Sequence, residues 1–280
     1  MQEISGKIIA SRILEQMRTL PKPKTFLAAI AIGRDPESES FLKQKQASAK
    51  RIGIDFRIYH LAQEQTNDQL RREVGKIARQ QTVGGVIVQL PLPLNVNRNY
   101  VLNAIPREKD VDVLGARALG AFYDDDNPVL PPSVGAAEAI LKEAGVTLED
   151  KTVGVVGLGP LIGKPIAVWL MKKCRNLVLF NKRSEYALLS HADIVITGVG
   201  EPAVIKGEFL KRGAGVIDFG YRIVDGKIRG DLDISTLQPS LLAFYTPTPG
   251  GTGPVLVTKL FENFYTLAGK TASRTKKNRP

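Results

Sequence analysis

The sequence predicts an α/β protein of two lobes, with parallel strands joined through helices, and three observations carry that reading. Short apolar runs rich in β-branched residues alternate with helix-period segments along most of the chain. A turn-rich stretch from Leu114 to Pro132, with Asp-Asp-Asp-Asn-Pro at its centre, breaks the alternation and reads as the join between lobes. After it, the apolar run Thr152–Val156 feeds a glycine-rich loop and a further helical pattern, the opening of a Rossmann-like lobe.

Taken in order, Phe26–Ile32 is an unbroken apolar strand, Ser38–Arg51 a helix, Phe56–Leu61 a strand, Asp68–Arg79 a helix and Gly85–Leu90 a third strand. These form a three-layer α/β first lobe. The second lobe opens with a helix over Ser133–Ala144 and continues as strand Thr152–Val156, helix Ile162–Lys173 and strands Leu177–Asn181, Ile194–Gly198 and Gly215–Phe219. A last helix, Pro254–Ala268, follows the loop Pro-Thr-Pro-Gly-Gly-Thr-Gly-Pro and is expected to return to the first lobe. The expected division is residues 1–130 with 253–270, residues 131–252, and a basic tail over 271–280 carrying Arg274, Lys276, Lys277 and Arg279.

Composition narrows the function. With 280 residues, 43% hydrophobic and 24% charged, the chain can bury a core and is neither disordered nor fibrous. Its apolar runs are too short to span a bilayer, and the start, interrupted by Glu3, Lys7 and Arg12, lacks a signal-peptide block. One cysteine, Cys174, with two histidines, His60 and His191, supports neither an internal disulfide nor a zinc site, so a reducing cytoplasm and no metal are expected. The net charge of +11 comes with 6% aromatics and no basic–aromatic stripe. An anionic small ligand accounts for that charge, and no nucleic-acid or membrane partner is expected.

The most explicit chemistry lies in Thr152–Ile166, where Gly157, Gly159 and Gly163 follow a strand and open a helix. Glycines there permit a tight turn and close approach of a pyrophosphate, and the helix start offers unpaired N–H groups. The spacing, G-x-G-x-x-x-G, is one residue longer than the usual dinucleotide fingerprint, and a plain βα turn would show the same glycines. The next strand ends at Asn181, followed by Lys182, Arg183 and Ser184. Two cations and a hydroxyl, with no carboxylate to bind a ribose 2′-hydroxyl, favour NADP over NAD, which remains possible.

In the first lobe, Ser38, Phe41 and Lys45 fall on one face of a helix. A lysine beside an aromatic residue and facing a cleft loses solvation, which lowers its pKa and suits it to proton transfer. Gln89 is a lone amide at the carboxyl end of an apolar strand, where open sheets place ligand contacts. Asp110 and Asp112 precede the join, and Asp112 either pairs with a protonated ligand nitrogen or caps a turn.

The motifs G-R-D-P-E-S-x-x-F-x-x-x-K (33–45), V-Q-L-P-L-P (88–93), P-x-x-K-D-V-D (106–112), V-V-G-x-x-x-x-x-G-x-P (155–165), V-I-D-x-G (216–220), G-D-x-D (230–233) and P-x-P-G-G-x-G-P (247–254) occur in this order. In that order the chain resembles the methylenetetrahydrofolate dehydrogenase/methenyltetrahydrofolate cyclohydrolase family over about residues 3 to 268. The resemblance implies a folate-binding catalytic lobe, a Rossmann lobe for NADP with a cleft between the two, and a homodimer. It implies Lys45, Gln89 and Asp112 as catalytic residues. Phe41, Leu90, Pro249, Gly250 and Gly251 join those three around the folate. Gly157, Leu158, Gly159, Gly163, Lys182, Arg183 and Tyr221 make up the cofactor set. The implied activity is oxidation of 5,10-methylenetetrahydrofolate with NADP⁺ and hydrolysis of the product to 10-formyltetrahydrofolate.

The chain departs from the family pattern in several places. Phe41 stands where the family has tyrosine, Leu158 where it has arginine and Val113 where it has glycine. Leu130–Pro131–Pro132–Ser133 replaces P-C-T-P, and Thr252 and Leu256 replace valine and threonine. Three other readings account for part of the pattern: a dehydrogenase without the hydrolytic activity, a nicotinamide-dependent dehydrogenase for another acid, and an inactive ligand-binding homologue.

Overall fold

Gln2 and Glu3 form a short strand, β1 (Gln2–Glu3), because their backbone finds a partner far along the chain at Phe244 and Tyr245. In order there follow α1 (Gly6–Arg18), β2 (Phe26–Ile32), α2 (Pro36–Arg51), β3 (Phe56–Leu61), α3 (Asn67–Arg79), β4 (Val83–Val88), α4 (Arg98–Leu102), α5 (Ala116–Tyr123) and α6 (Pro132–Glu143). The rest comprises β5 (Thr152–Val156), α7 (Gly163–Leu170), β6 (Asn176–Phe180), β7 (Ile194–Thr197), β8 (Gly215–Asp218), β9 (Arg222–Val224), β10 (Lys227–Arg229), β11 (Phe244–Tyr245) and α8 (Thr252–Lys277). The computed structural model describes residues 1–238 and 240–277.

The chain divides into two units. One contains Leu14–Pro132 and the chain from Lys259, the other Met1–Ile13 and Ser133–Thr258. Residues 1–13 thus fall outside the first lobe in which the sequence reading put them, because β1 pairs in parallel with β11 and extends the other unit's sheet. The last helix changes unit at Lys259, not at its start. Of the basic tail, the backbone is helical to Lys277, and residues 278–280 lie outside the described residues.

In the unit that begins at Leu14, three parallel strands lie in the order β3-β2-β4. Every residue of β2 and β4 is buried, as strands covered on both faces require. Two local devices set the helices. Asp35 caps α2 by accepting from the Ser38 amide at 2.8 Å, with Pro36 at the first helical position. Thr66 and Gln69 form a capping box at the start of α3. Gly85 admits the backbone close to Val111 and Phe264, since a Cβ there would sit 2.7 Å from the first and 2.8 Å from the second. The turn-rich join expected over Leu114–Pro132 contains α5, a two-turn helix starting at Ala116.

The other unit is a six-stranded sheet in the order β1-β11-β8-β7-β5-β6, every pairing parallel. Its core gathers Val156, Phe180, Leu189, Val195, Val216 and Leu232. Two buried carboxylates brace the loops at its strand ends. Asp231 accepts from the Thr197 hydroxyl (2.7 Å) and from the amides of Val199 (2.7 Å), Gly200 (2.9 Å) and Glu201 (3.1 Å). Asp218 accepts from the amides of Gly220 (2.7 Å), Asp231 (3.2 Å) and Leu232 (3.0 Å), which ties the two acids into one assembly. Burial, and the charge of Asp231 behind it, push the Asp218 carboxyl up to about 6. This term favours folding at acid pH and is lost as pH rises through about 6, so the pair persists at neutral pH on its amide donors.

Asp231→Ala would leave a hydroxyl and three amides without their acceptor. A loss of about 3–5 kcal/mol in unfolding free energy is expected, read from the urea midpoint. A variant within about 1 kcal/mol of the parent would show that water replaces the carboxylate.

Candidate active site

In the three-stranded unit, α2 and the end of β4 bring together the residues the sequence singled out. Lys45 stands one helical turn beyond Phe41, and both are half-buried. The Lys45 Nζ donates to Gln89 Oε1 at 2.9 Å. Gln89 sits just past β4 because its amide continues the ladder to the Ile30 carbonyl, and its own side-chain NH₂ donates to the Leu90 carbonyl at 2.6 Å. That second bond fixes which end of the amide faces the lysine. The peptide from Leu90 to Pro91 is cis, and Leu90 is half-buried.

Asp112 completes the group. Burial pushes its carboxyl up to about 6, the positive charge of Lys45 opposes that rise, and Asp110 adds to it. Burial in turn lowers the Lys45 amine, with Asp112 holding it up. These displacements bring the amine and the carboxyl closer in proton affinity than two solvated groups of these types, which favours proton exchange between them. Beside the group is a cavity of about 260 Å³ lined by Ile32, Ser38, Gln89, Pro91, Leu92 and Pro93 among others. The Ser38 hydroxyl is buried with no partner among the described residues. Its place in the wall of this cavity was not legible in the sequence, where it read as one residue of a helical face.

The six-stranded unit holds the remaining candidates. Gly157 leaves β5 at φ +84°, a conformation side chains resist. A Cβ at Gly163 would lie 1.7 Å from the Gly157 carbonyl oxygen, so loop and helix meet backbone to backbone. A Cβ at Gly159 meets nothing within 4 Å, which leaves open space over the loop at the start of α7. Phosphate oxygens fit such a cradle of open backbone and helix N-terminus. Leu158 lies half-buried within the loop.

At the tip of β6, the Asn181 side chain accepts from the Arg183 amide (2.8 Å) and the Ser184 hydroxyl accepts from the Asn181 amide (3.0 Å). This compact turn leaves the Lys182 and Arg183 side chains exposed. Tyr221 is exposed at the start of the β9–β10 hairpin. Pro249–Gly251 is a loop of this unit, separate in the chain's division from Lys45. It is backed by the N-terminal segment, since the Lys7 amide donates to the Gly250 carbonyl (3.2 Å) and a Cβ at Gly6 would lie 1.6 Å from the Gly251 carbonyl oxygen. Among the described residues, no three His, Cys, Asp or Glu side chains form a metal-binding group, and no helix is long and apolar enough to cross a membrane.

Comparison with known proteins matches both halves of the chain. Residues 4–112 match the tetrahydrofolate dehydrogenase/cyclohydrolase catalytic domain, and residues 131–272 match the NAD(P)-binding domain of the same family. The bifunctional protein FolD of Macrococcus caseolyticus is 33% identical over 250 residues, covering 89% of this chain and 88% of its own. The bifunctional FolD methylenetetrahydrofolate dehydrogenase/cyclohydrolase of Campylobacter jejuni superposes with a TM-score of 0.90 at 26% identity, covering 95% of this chain and 98% of that one. A Trypanosoma brucei N5,N10-methylenetetrahydrofolate dehydrogenase-cyclohydrolase, complexed with NADP cofactor and inhibitor, gives 0.89 at 27% identity, covering 96% and 98%. With both domains matched in order, the chain belongs to the tetrahydrofolate dehydrogenase/cyclohydrolase family.

Proposed function

We propose that this chain oxidises 5,10-methylenetetrahydrofolate to the 5,10-methenyl cation with NADP⁺, then adds water to give 10-formyltetrahydrofolate and a proton. The observation that carries this reading is the contact of Lys45 with Gln89, beside Asp112, in the part of the chain matched to the family's catalytic domain. Asp112 accepts hydrogen bonds from the pterin ring, and Phe41 supplies a face on which that ring stacks. Leu90 adds apolar surface to the folate set. Lys45, its amine lowered by burial, takes the proton from water as it adds to the methenyl carbon. Gln89 accepts from the lysine and so orients its remaining hydrogens and its lone pair when neutral.

NADP⁺, when bound, supplies the acceptor for the hydride leaving the methylene carbon. Gly157, Leu158, Gly159 and Gly163 shape the pyrophosphate cradle, with Tyr221 beside it in the cofactor set. Leu158 cannot pair with a 2′-phosphate, and exposed Lys182 and Arg183, held on a braced turn, take that role.

A cytoplasmic homodimer is the assembly this reading favours. Its support is the open edge of the six-stranded sheet, where β6 exposes Val178 and Leu179.

Purified chain is expected to reduce NADP⁺ in the presence of methylenetetrahydrofolate and to hydrolyse the methenyl compound in a separate assay. Lys45→Met should slow hydrolysis about 10²-fold or more with NADP⁺ affinity little changed, and undiminished hydrolysis would remove Lys45 from the chemistry. Gly163→Ala forces a methyl group against the Gly157 carbonyl. It should raise the KM for NADP⁺, leave folate binding intact and cost about 1–3 kcal/mol in stability. Val178→Lys should convert the dimer to monomer in sedimentation, and an unchanged mass would exclude the β6 edge.

A further inference from the structure

Two charged residues beside Asp112 are buried more deeply than it is. Lys109 is 8% exposed and Asp110 1%. Lys109 Nζ donates to the Ala78 and Gln80 carbonyls, each at 2.8 Å. Those carbonyls lie at the end of α3, where backbone oxygens lack helical partners and a cation is favoured. Asp110 bridges in parallel to Val86, three residues before Gln89 on the same stretch of chain. Its Oδ2 then accepts from the amides of Leu114 (3.0 Å) and Gly115 (2.7 Å), closing a loop over Asp112 and Val113.

The loop needs such a clasp. Val113 has φ +56° and is fully buried, a left-handed state that costs a side-chain-bearing residue about 1–2 kcal/mol. The family pattern has glycine there, which adopts the turn unaided.

We propose that Asp110 is a positioning residue of the folate site, whose carboxylate closes the strained turn that presents Asp112 towards Lys45. The proposal rests on Asp112 being the folate ligand, as read above. Burial pushes the Asp110 carboxyl up, the Gly115 and Leu114 amides hold it down, and its Oδ1 is buried with no partner among the described residues. The charged groups facing Asp112 are Lys45 from α2 and Asp110 on its own turn, and the second opposes ionisation of Asp112.

The test uses the full chain with NADP⁺ and methylenetetrahydrofolate, and follows initial rates across pH. Asp110→Asn keeps an oxygen for the two amides and removes the charge. It should retain the folate KM at neutral pH, with the acid limb of kcat/KM for the folate at lower pH. Asp110→Ala opens the turn and should raise the folate KM about tenfold with the KM for NADP⁺ unchanged. An Asp110→Ala variant that leaves the folate KM unchanged, or raises both KM values alike, overturns the proposal, as does an Asp110→Asn variant that raises the folate KM as much as Asp110→Ala does. If Asp110→Ala does not fold, the folate KM of Asp110→Asn decides alone, and a rise of about tenfold overturns the proposal. A parent chain that fails to reduce NADP⁺ with this folate overturns the functional reading and the proposal with it, whereas an active parent with either of those results overturns only the proposal.

Discussion

A lysine amine that loses solvent must either give up its proton or find groups that share its charge, and that requirement organises the smaller-sheet unit. Lys45 meets it with one neutral acceptor and one carboxyl. The amide of Gln89 is oriented because its other end is spent on the Leu90 carbonyl. The carboxyl of Asp112 is itself pushed up to about 6 by burial, and its charge holds the amine up against its own desolvation. Three segments must be in register for this: α2 through its Asp35 cap, β4 through its pairing with β2, and the turn after Lys109. A slip of one residue in β4 would turn Gln89 away from the lysine, since successive side chains alternate between faces.

The six-stranded unit solves a different problem, that of leaving backbone open to a ligand without losing the loops that carry it. Gly163 packs on the Gly157 carbonyl, and the loop is held by its backbone, the Gly157 amide donating to the Phe180 carbonyl (2.9 Å) and the Lys164 amide to the Gly159 carbonyl (3.0 Å). The loop after β7 is braced by buried acids. Asp231 gathers three successive amides after β7, and Asp218 gathers the segment that carries Asp231. Each acid is desolvated, and the repulsion between them raises Asp218, yet several charge-assisted bonds outweigh one like-charge contact.

The sequence made much of this legible. The bounds expected for the strands at Phe26, Phe56 and Thr152 coincide with β2, β3 and β5, because unbroken β-branched and apolar runs between turn residues admit few alternatives. Lys45 and Gln89 were legible as partners only through the family motif, since residues 44 apart carry no periodic relation. What escaped the reading is non-local. The two residues of β1 have no period, and only their pairing with β11 makes them a strand. Lys109 looks like any lysine in a polar turn until the helix end 29 to 31 residues upstream is placed against it. Asp231 likewise binds amides 30 to 32 residues before it.

The departures from the family pattern have a common physical consequence. Phenylalanine at 41 keeps an aromatic face but brings no hydroxyl near the amine one turn away, which leaves Gln89 and Asp112 as the polar groups acting on Lys45. Valine at 113 removes the residue best able to hold the turn behind Asp112, and transfers that task to the buried carboxylate of Asp110. Leucine at 158 brings no cation to the glycine loop, and the exposed cations Lys182 and Arg183 stand on the braced turn after β6. The turns at Asp110 and after β6 are each fixed by side chains that accept from backbone amides. A backbone anchored in this way is ordered before a ligand arrives, so that ordering costs no further entropy on binding.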